Sequence, residues 1–313
     1  MRTLALKIDV DTLRGTRVGV PQLVEALQRR QAQASFLFSL GPDHTGRALK
    51  RVFRPGFLKK VSRTSVLEHY GLQTLLYGTL LPGPDIGLRC RKELRAVATA
   101  GFEVGIHCWD HVRWQDGVQQ ADEAWTRREM DQAAARFADI FGHAPVTHGA
   151  AGWQMNAHAL RWLQDAGIRY ASDCRGSAPF VPVVQGEVIP CIQLPTTLPT
   201  LDELIGLNGW TANNVHEHLL ALTASDPPGG HVFTLHAELE GMKLLPVLER
   251  LLAGWQEQGW ELVSMGELAT ALGTQVLPRH DFVQGEVPGR SGVLSLQGMA
   301  HAHQPLTFSY GTT

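Results

Sequence analysis

The chain has 313 residues, 44% of them apolar and 19% charged, and its 28 basic and 30 acidic side chains give a net charge of -2. That balance is ordinary for a folded domain and excludes a general polyanion-binding role such as nucleic-acid binding, which rests on a basic domain or stripe. No run of 18 uncharged apolar residues is present, so no segment reads as a helical membrane span.

In chain order, apolar runs at 4–8, 34–39, 102–106, 146–148, 168–172, 188–194, 232–235 and 261–264 predict buried strands. Amphipathic patterns at 20–31, 85–100, 126–141, 157–166, 212–223, 244–258 and 265–272 predict helices. Four of these are closed by Gly101, Gly142, Gly167 and Gly259, the residue that most readily adopts the left-handed stop. Repeated strand-then-helix order implies a parallel sheet covered on both faces, and an irregular (β/α) barrel over 1–272 fits it best. The interval 42–84 reads as an insertion. Within it Arg47, Lys50, Arg51, Arg54, Lys59, Lys60 and Arg63 occur with no acidic residue among them, interleaved with Phe53, Phe57, Leu58 and Val61. Such a segment either covers a core or rests on an anionic bilayer with its apolar side chains inserted; Arg54, Phe57, Lys59 and Lys60 are the candidate docking residues. From 273 to 313 the pattern fades into Gly, Pro and polar residues and reads as a C-terminal tail.

The first apolar run is short and interrupted by Lys7 and Asp9, so it does not read as a secretory signal. The expectation is a chain kept in a reducing compartment, with Cys90, Cys108, Cys174 and Cys191 as free thiols, since their spacing matches no zinc ribbon or redox pair.

The chemistry concentrates at strand ends. Asp9 and Asp11 are two residues apart on an extended chain and therefore share a face. His107 and His111 are spaced i, i+4, which on a helical turn stacks them just after the strand at 102–106. One divalent ion can take Asp11, His107 and His111 as ligands and keep a position open, leaving Asp9 as general base and His236, after the strand at 232–235, as general acid. Each element alone is weak: carboxylates at strand ends often cap loops, and histidines at barrel rims are often satisfied hydrogen-bonders. Their order, and their common placement at C-terminal strand ends, make the joint signal strong.

In this order the motifs resemble the NodB-homology polysaccharide deacetylases: an Asp-x-Asp giving base and ligand, an His-x-x-x-His pair, and a late Leu-x-x-His-type acid. Further stretches, Asp9 to Arg17, Ala150-Ala151-Gly152-Trp153, Ser172-Asp173-Cys174-Arg175-Gly176, Leu198 to Glu203 and His236 to Gly241, are similar to the branch that deformylates 4-deoxy-4-formamido-L-arabinose carried on undecaprenyl phosphate. The resemblance spans about Thr3 to Arg290. It implies a NodB-type barrel and a metal-dependent amidohydrolase using zinc, cobalt, manganese or iron. The implied reaction releases formate and a free 4-amino sugar lipid for lipid A modification, at the cytoplasmic face of the inner membrane. Arg14, Trp153, Asp173, Arg175 and Glu238 are the candidate substrate contacts. One departure stands out: many deacetylases carry an arginine in the third motif, where this chain has Gly149-Ala150-Ala151-Gly152-Trp153, and Arg14 or Arg175 is the expected substitute. The rival readings are a generic carbohydrate N-deacetylase and a non-catalytic binder of sugar or lipid phosphate.

Overall fold

Residues Arg2–Val10 form β1, and the last seven are buried, which is why Leu4, Ala5, Leu6 and Ile8 form a near-continuous apolar run instead of alternating with polar residues. In this computed structural model, which describes residues 2–48, 73–225, 227–290 and 292–301, β1 organises the main sheet. Along one edge it pairs with β9 (His231–His236); along the other it pairs with β10 (Trp260–Val263) over its first half and with β2 (Ser35–Ser39) over its second. The sheet continues from β2 through β3 (Glu103–Cys108), β4 (Thr147–His148) and β5 (Tyr170–Ala171) to β8 (Ile192–Gln193), and every pairing in it is parallel. Beyond β8 the chain crosses to β9, where the Thr197 amide donates to the Val232 carbonyl and the Thr196 and Thr234 hydroxyls lie 2.7 Å apart. The sheet thus curls into an irregular barrel whose gap is bridged by a loop.

Helices Val20–Arg29, Arg91–Thr99, Glu123–Phe141 and Leu245–Glu257 cover the outside. Their apolar stripes, among them Leu23, Leu27, Val97, Phe137, Leu248 and Trp255, pack on Leu4, Leu6, Phe36, Phe38 and Phe233 in one continuous core. All eight expected strands are present. The expected helix at 85–100 is broken at Cys90 into Ile86–Arg89 and Arg91–Thr99.

The stretch after 272 is more than a tail. Strands β11 (Arg279–Gly285) and β12 (Leu294–Ala300) form an antiparallel hairpin that joins β6 (Val181–Val184) and β7 (Glu187–Val188) in a second sheet of order β12-β11-β6-β7. Its strands are half-buried and mix charged with apolar residues, so the alternation that marks a strand is blurred. The four cysteines are free and buried. Among the described residues no helix is long and apolar enough to cross a membrane. The docking candidates Arg54, Phe57, Lys59 and Lys60 lie outside the described residues.

Candidate metal and catalytic site

Asp9 is the penultimate residue of β1 and the register partner of His236, the last residue of β9. In parallel strands in register, partner side chains point to the same face, so base and acid candidates stand side by side. Asp11 follows one residue beyond the strand. Its turn is held by Glu238, whose Oε1 accepts from the Asp11 amide (3.1 Å), the Thr12 amide (2.9 Å) and the Thr12 hydroxyl (2.7 Å). The chain then enters a π-helical turn, Gly15–Gly19, that presses on the segment after β9. A Cβ on Gly15 would sit 1.9 Å from Glu238 Oε1, and one on Gly19 would sit 2.0 Å from the Ala237 carbonyl oxygen, so only glycine permits this approach.

His107 lies on β3 itself and His111 opens the helix His111–Gly117, with Asp110 between them as N-cap, its side chain accepting from the Arg113 amide. The pair therefore straddles a strand-to-helix junction instead of one helical turn, and the rings still stack, with centroids 5.3 Å apart. His107 Nδ1 is 2.6 Å from the Gly149 carbonyl oxygen. A carbonyl can only accept, so Nδ1 carries a proton, and Nε2 is the ring atom that faces Asp11 Oδ1 at 3.2 Å. His111 Nε2 is 3.3 Å from Asp11 Oδ2.

One ligand atom from each of Asp11, His107 and His111 lies within 4.8 Å of the others. Asp11 Oδ1 and Asp9 Oδ1 are buried and lack a hydrogen-bond partner among the described residues. Burial would raise the Asp11 carboxyl, yet the His111 charge, the His107 contact and the more distant His236 overcome it and hold Asp11 well below the usual carboxylate range. Burial likewise pulls His107 down, and the carboxylates of Asp9 and Asp11 reverse this and raise it. An anionic oxygen without a donor, facing two imidazoles, fits a divalent cation. His107 is 1% and His111 19% exposed at the side chain, so the set opens to solvent on the His111 side.

The polysaccharide deacetylase family model matches residues 2–171. Over 94% of its length the chain is 38% identical to a protein of Shewanella sediminis (strain HAW-EB3) named "Probable 4-deoxy-4-formamido-L-arabinose-phosphoundecaprenol deformylase ArnD", covering 94% of that protein. A protein of the same name from Wigglesworthia glossinidia brevipalpis is 31% identical over 90% of this chain, with 98% of it covered. The chain belongs to the polysaccharide deacetylase family, and within it to the ArnD-type branch. The fold agrees: a polysaccharide deacetylase structure from Mycobacterium smegmatis matches at TM-score 0.58 and 17% identity, covering 86% of this chain and 90% of that one. One from Pseudomonas aeruginosa PAO1 matches at 0.56 and 16%, with the same coverage.

The expected substrate contacts are placed differently from their sequence reading. Glu238 is 1% exposed and engaged with the Asp11–Thr12 turn, which makes it a support for the ligand loop. Asp173 is fully buried; its Oδ1 takes His148 Nδ1 (2.6 Å) and the Ala150 amide (2.8 Å), and its Oδ2 takes Gln193 Nε2 (3.0 Å), so it anchors the third-motif loop. Trp153 is 1% exposed and donates from Nε1 to the Thr196 hydroxyl. Arg175 is tied to Glu203 at 2.5 Å and to the Leu198 carbonyl at 3.0 Å. Arg14 is half-buried on the turn after Asp11.

A cation on Asp9, the candidate base, is supplied by Lys7. Its Nζ lies 2.9 Å from Asp9 Oδ2, and the side chain is fully buried. The signal for it was present in the sequence, because 7, 9 and 11 alternate onto one face of β1. Arg290 was also missed: its Nε is 2.8 Å from Glu203 Oε1 and its guanidinium stands 4.6 Å from the Trp153 ring centroid.

Proposed function

We propose that this protein hydrolyses the N-formyl group of 4-deoxy-4-formamido-L-arabinose carried on undecaprenyl phosphate, consuming one water and releasing formate and the free 4-amino sugar lipid. The observation that carries the reading is the register of Asp9 with His236 beside the Asp11–His107–His111 set, in a chain similar to ArnD-named proteins along nearly its whole length.

Asp11, His107 and His111 would hold one divalent ion, zinc, cobalt, manganese or iron, which when bound supplies Lewis acidity at the acyl carbon's oxygen. Asp9 takes a proton from the attacking water, and its Oδ1, which has no hydrogen-bond partner among the described residues, is the atom available to receive it. His236, half-buried at the strand end, delivers a proton to the departing amine nitrogen as the C–N bond breaks. Glu238, through the Asp11 and Thr12 amides, keeps the ligand carboxylate in place while this happens.

A lipid-linked sugar brings its reacting group to the protein from a bilayer, and we place the enzyme peripherally on the cytoplasmic face of the inner membrane. The basic segment from Arg47 to Arg63 supports this, as do Leu80 (82% exposed) and Leu88 (58%), which lie in and just after the same insertion. Reversing the charge of Lys59 and Lys60 should weaken binding to anionic liposomes by roughly 30-fold or more at low salt, on the scale of about 1 kcal/mol per basic residue, and leave a soluble short-chain analogue turned over normally. Liposome binding insensitive to those charges removes the docking face.

The deciding assay combines metal analysis with formate release from the formylated lipid-linked sugar. Acetate released from acetylated glycans instead would make this a generic N-deacetylase. Neither product from fully metal-loaded protein would leave a binding protein.

A further inference from the structure

We propose that Lys7 is the positioning residue for Asp9, acting from within β1 in the role that many deacetylases give to a third-motif arginine; the proposal rests on the hydrolytic reading above. Lys7 Nζ lies 2.9 Å from Asp9 Oδ2, while Asp9 Oδ1 is left without a hydrogen-bond partner among the described residues, 3.6 Å from His107 Nδ1. One oxygen of the base is thus pinned and the other left to work. An ammonium group is a mobile point charge on a flexible stem, so it orients a carboxylate only where its surroundings hold it. Here they do: the side chain is fully buried, and Nζ is 5.1 Å from the centroid of the Trp153 ring.

Gly149 lies against this lysine. A Cβ there would meet Lys7 Cε at 2.6 Å, Leu37 Cδ1 at 2.4 Å and Lys7 Nζ at 3.3 Å. Lys7 and Leu37 thus fill the space beside Gly149, where a side chain would have to displace them. Arg175, another cation near Trp153, is held away by Glu203 and by the Thr196 and Leu198 carbonyls.

The test uses metal-loaded enzyme and four substitutions: Lys7→Met, Gly149→Ala, Asp9→Asn and the double Lys7→Met/Asp9→Asn. Lys7→Met should lower kcat about 100-fold, with KM and bound metal per chain within about twofold of wild type. In the Asp9→Asn background the same substitution should change kcat less than about threefold, because the interaction through which Lys7 acts is already gone. Gly149→Ala, which crowds both Leu37 and Lys7, should also lower kcat. A crystal structure of Lys7→Met should show the Asp9 carboxylate turned from its wild-type rotamer, with Asp11, His107 and His111 unmoved. Should Lys7→Met misfold by leaving a buried carboxylate unpaired, the neutral double variant and Gly149→Ala still decide the matter. Equal kcat losses in both backgrounds, full activity of Lys7→Met, or an unmoved Asp9 would overturn the proposal. The crystallographic readout needs no substrate, so failure to release formate would strike the assigned substrate and leave Lys7 to be judged by the position of Asp9.

Discussion

The site has two walls built in different ways. One is made by neighbouring strand ends: Asp9 and Lys7 on β1, His107 on β3, His236 on β9, with Asp11 and His111 a residue or a few beyond. The other surrounds Trp153 and draws on residues distant in sequence: Arg175 and Arg290 share Glu203, Arg290 also reaches Asp202 (3.2 Å) and the Thr200 hydroxyl (3.2 Å), and the Ser295 carbonyl on β12 accepts the Arg175 amide. The first wall holds every group assigned to proton transfer or metal binding. The second holds none, and its charges satisfy one another. In the proposed mechanism one wall does the chemistry and the other fixes its shape, and substitutions in the two should fail in different ways.

The largest effects belong to the first wall and divide by role. Asp9→Asn should keep the metal and lose about 10²–10⁴-fold in turnover, the range for a removed general base. Asp11→Ala and His107→Ala should instead lower metal occupancy itself, measured as metal per chain after dialysis. Glu238→Ala, which frees the Asp11–Thr12 turn, should weaken metal affinity by about 10–100-fold. Equal metal loss in all of these variants would break the separation of base from ligand.

An intermediate effect is expected from the second wall. Arg290→Ala leaves Asp202 without its arginine and Trp153 without one of its cations, and should lower kcat/KM about tenfold through a loosened wall, with metal content unchanged. Arg290→Lys should not rescue it, because a lysine cannot reproduce the fork that spans Glu203, Asp202 and Thr200. Metal loss in Arg290→Ala would show that the two walls are not separable.

The same division explains what the sequence made legible. The eight parallel strands, their helices and the set Asp9, Asp11, His107, His111 and His236 all follow from local periodicity and from where strands end. What stayed hidden was non-local or weakly patterned. Strands β11 and β12 carry few apolar residues at period two, and Arg290 finds its partner 87 residues away. Lys7 was readable by alternation but sat inside an apolar run, where a lysine looks like an interruption until a carboxylate two residues on accounts for it. Glu238 and Asp173 carried the right chemistry for sugar contacts; burial assigned them to backbone amides instead.

The smallest predicted effect concerns Glu240, which borders both walls. It is fully buried, its Oε2 accepts from the His236 amide at 2.7 Å, and its Oε1 has no partner among the described residues. Burial pushes its carboxyl up to about 8, with the His236 amide pulling the other way and Asp202 adding to the rise. A carboxyl whose folded pKa is raised binds its proton more tightly in the native state than in the unfolded chain. Stability from this group is therefore complete below about 4.5 and is lost as pH climbs toward about 8. Glu240→Gln keeps the acceptor for the His236 amide and removes the titration. It should leave Tm unchanged near pH 4 and raise it by several degrees at pH 8. A Tm difference between wild type and Glu240→Gln that does not grow across that pH window would mean that the carboxyl ionises without penalty, and that the space around His236 is wetter than its burial indicates.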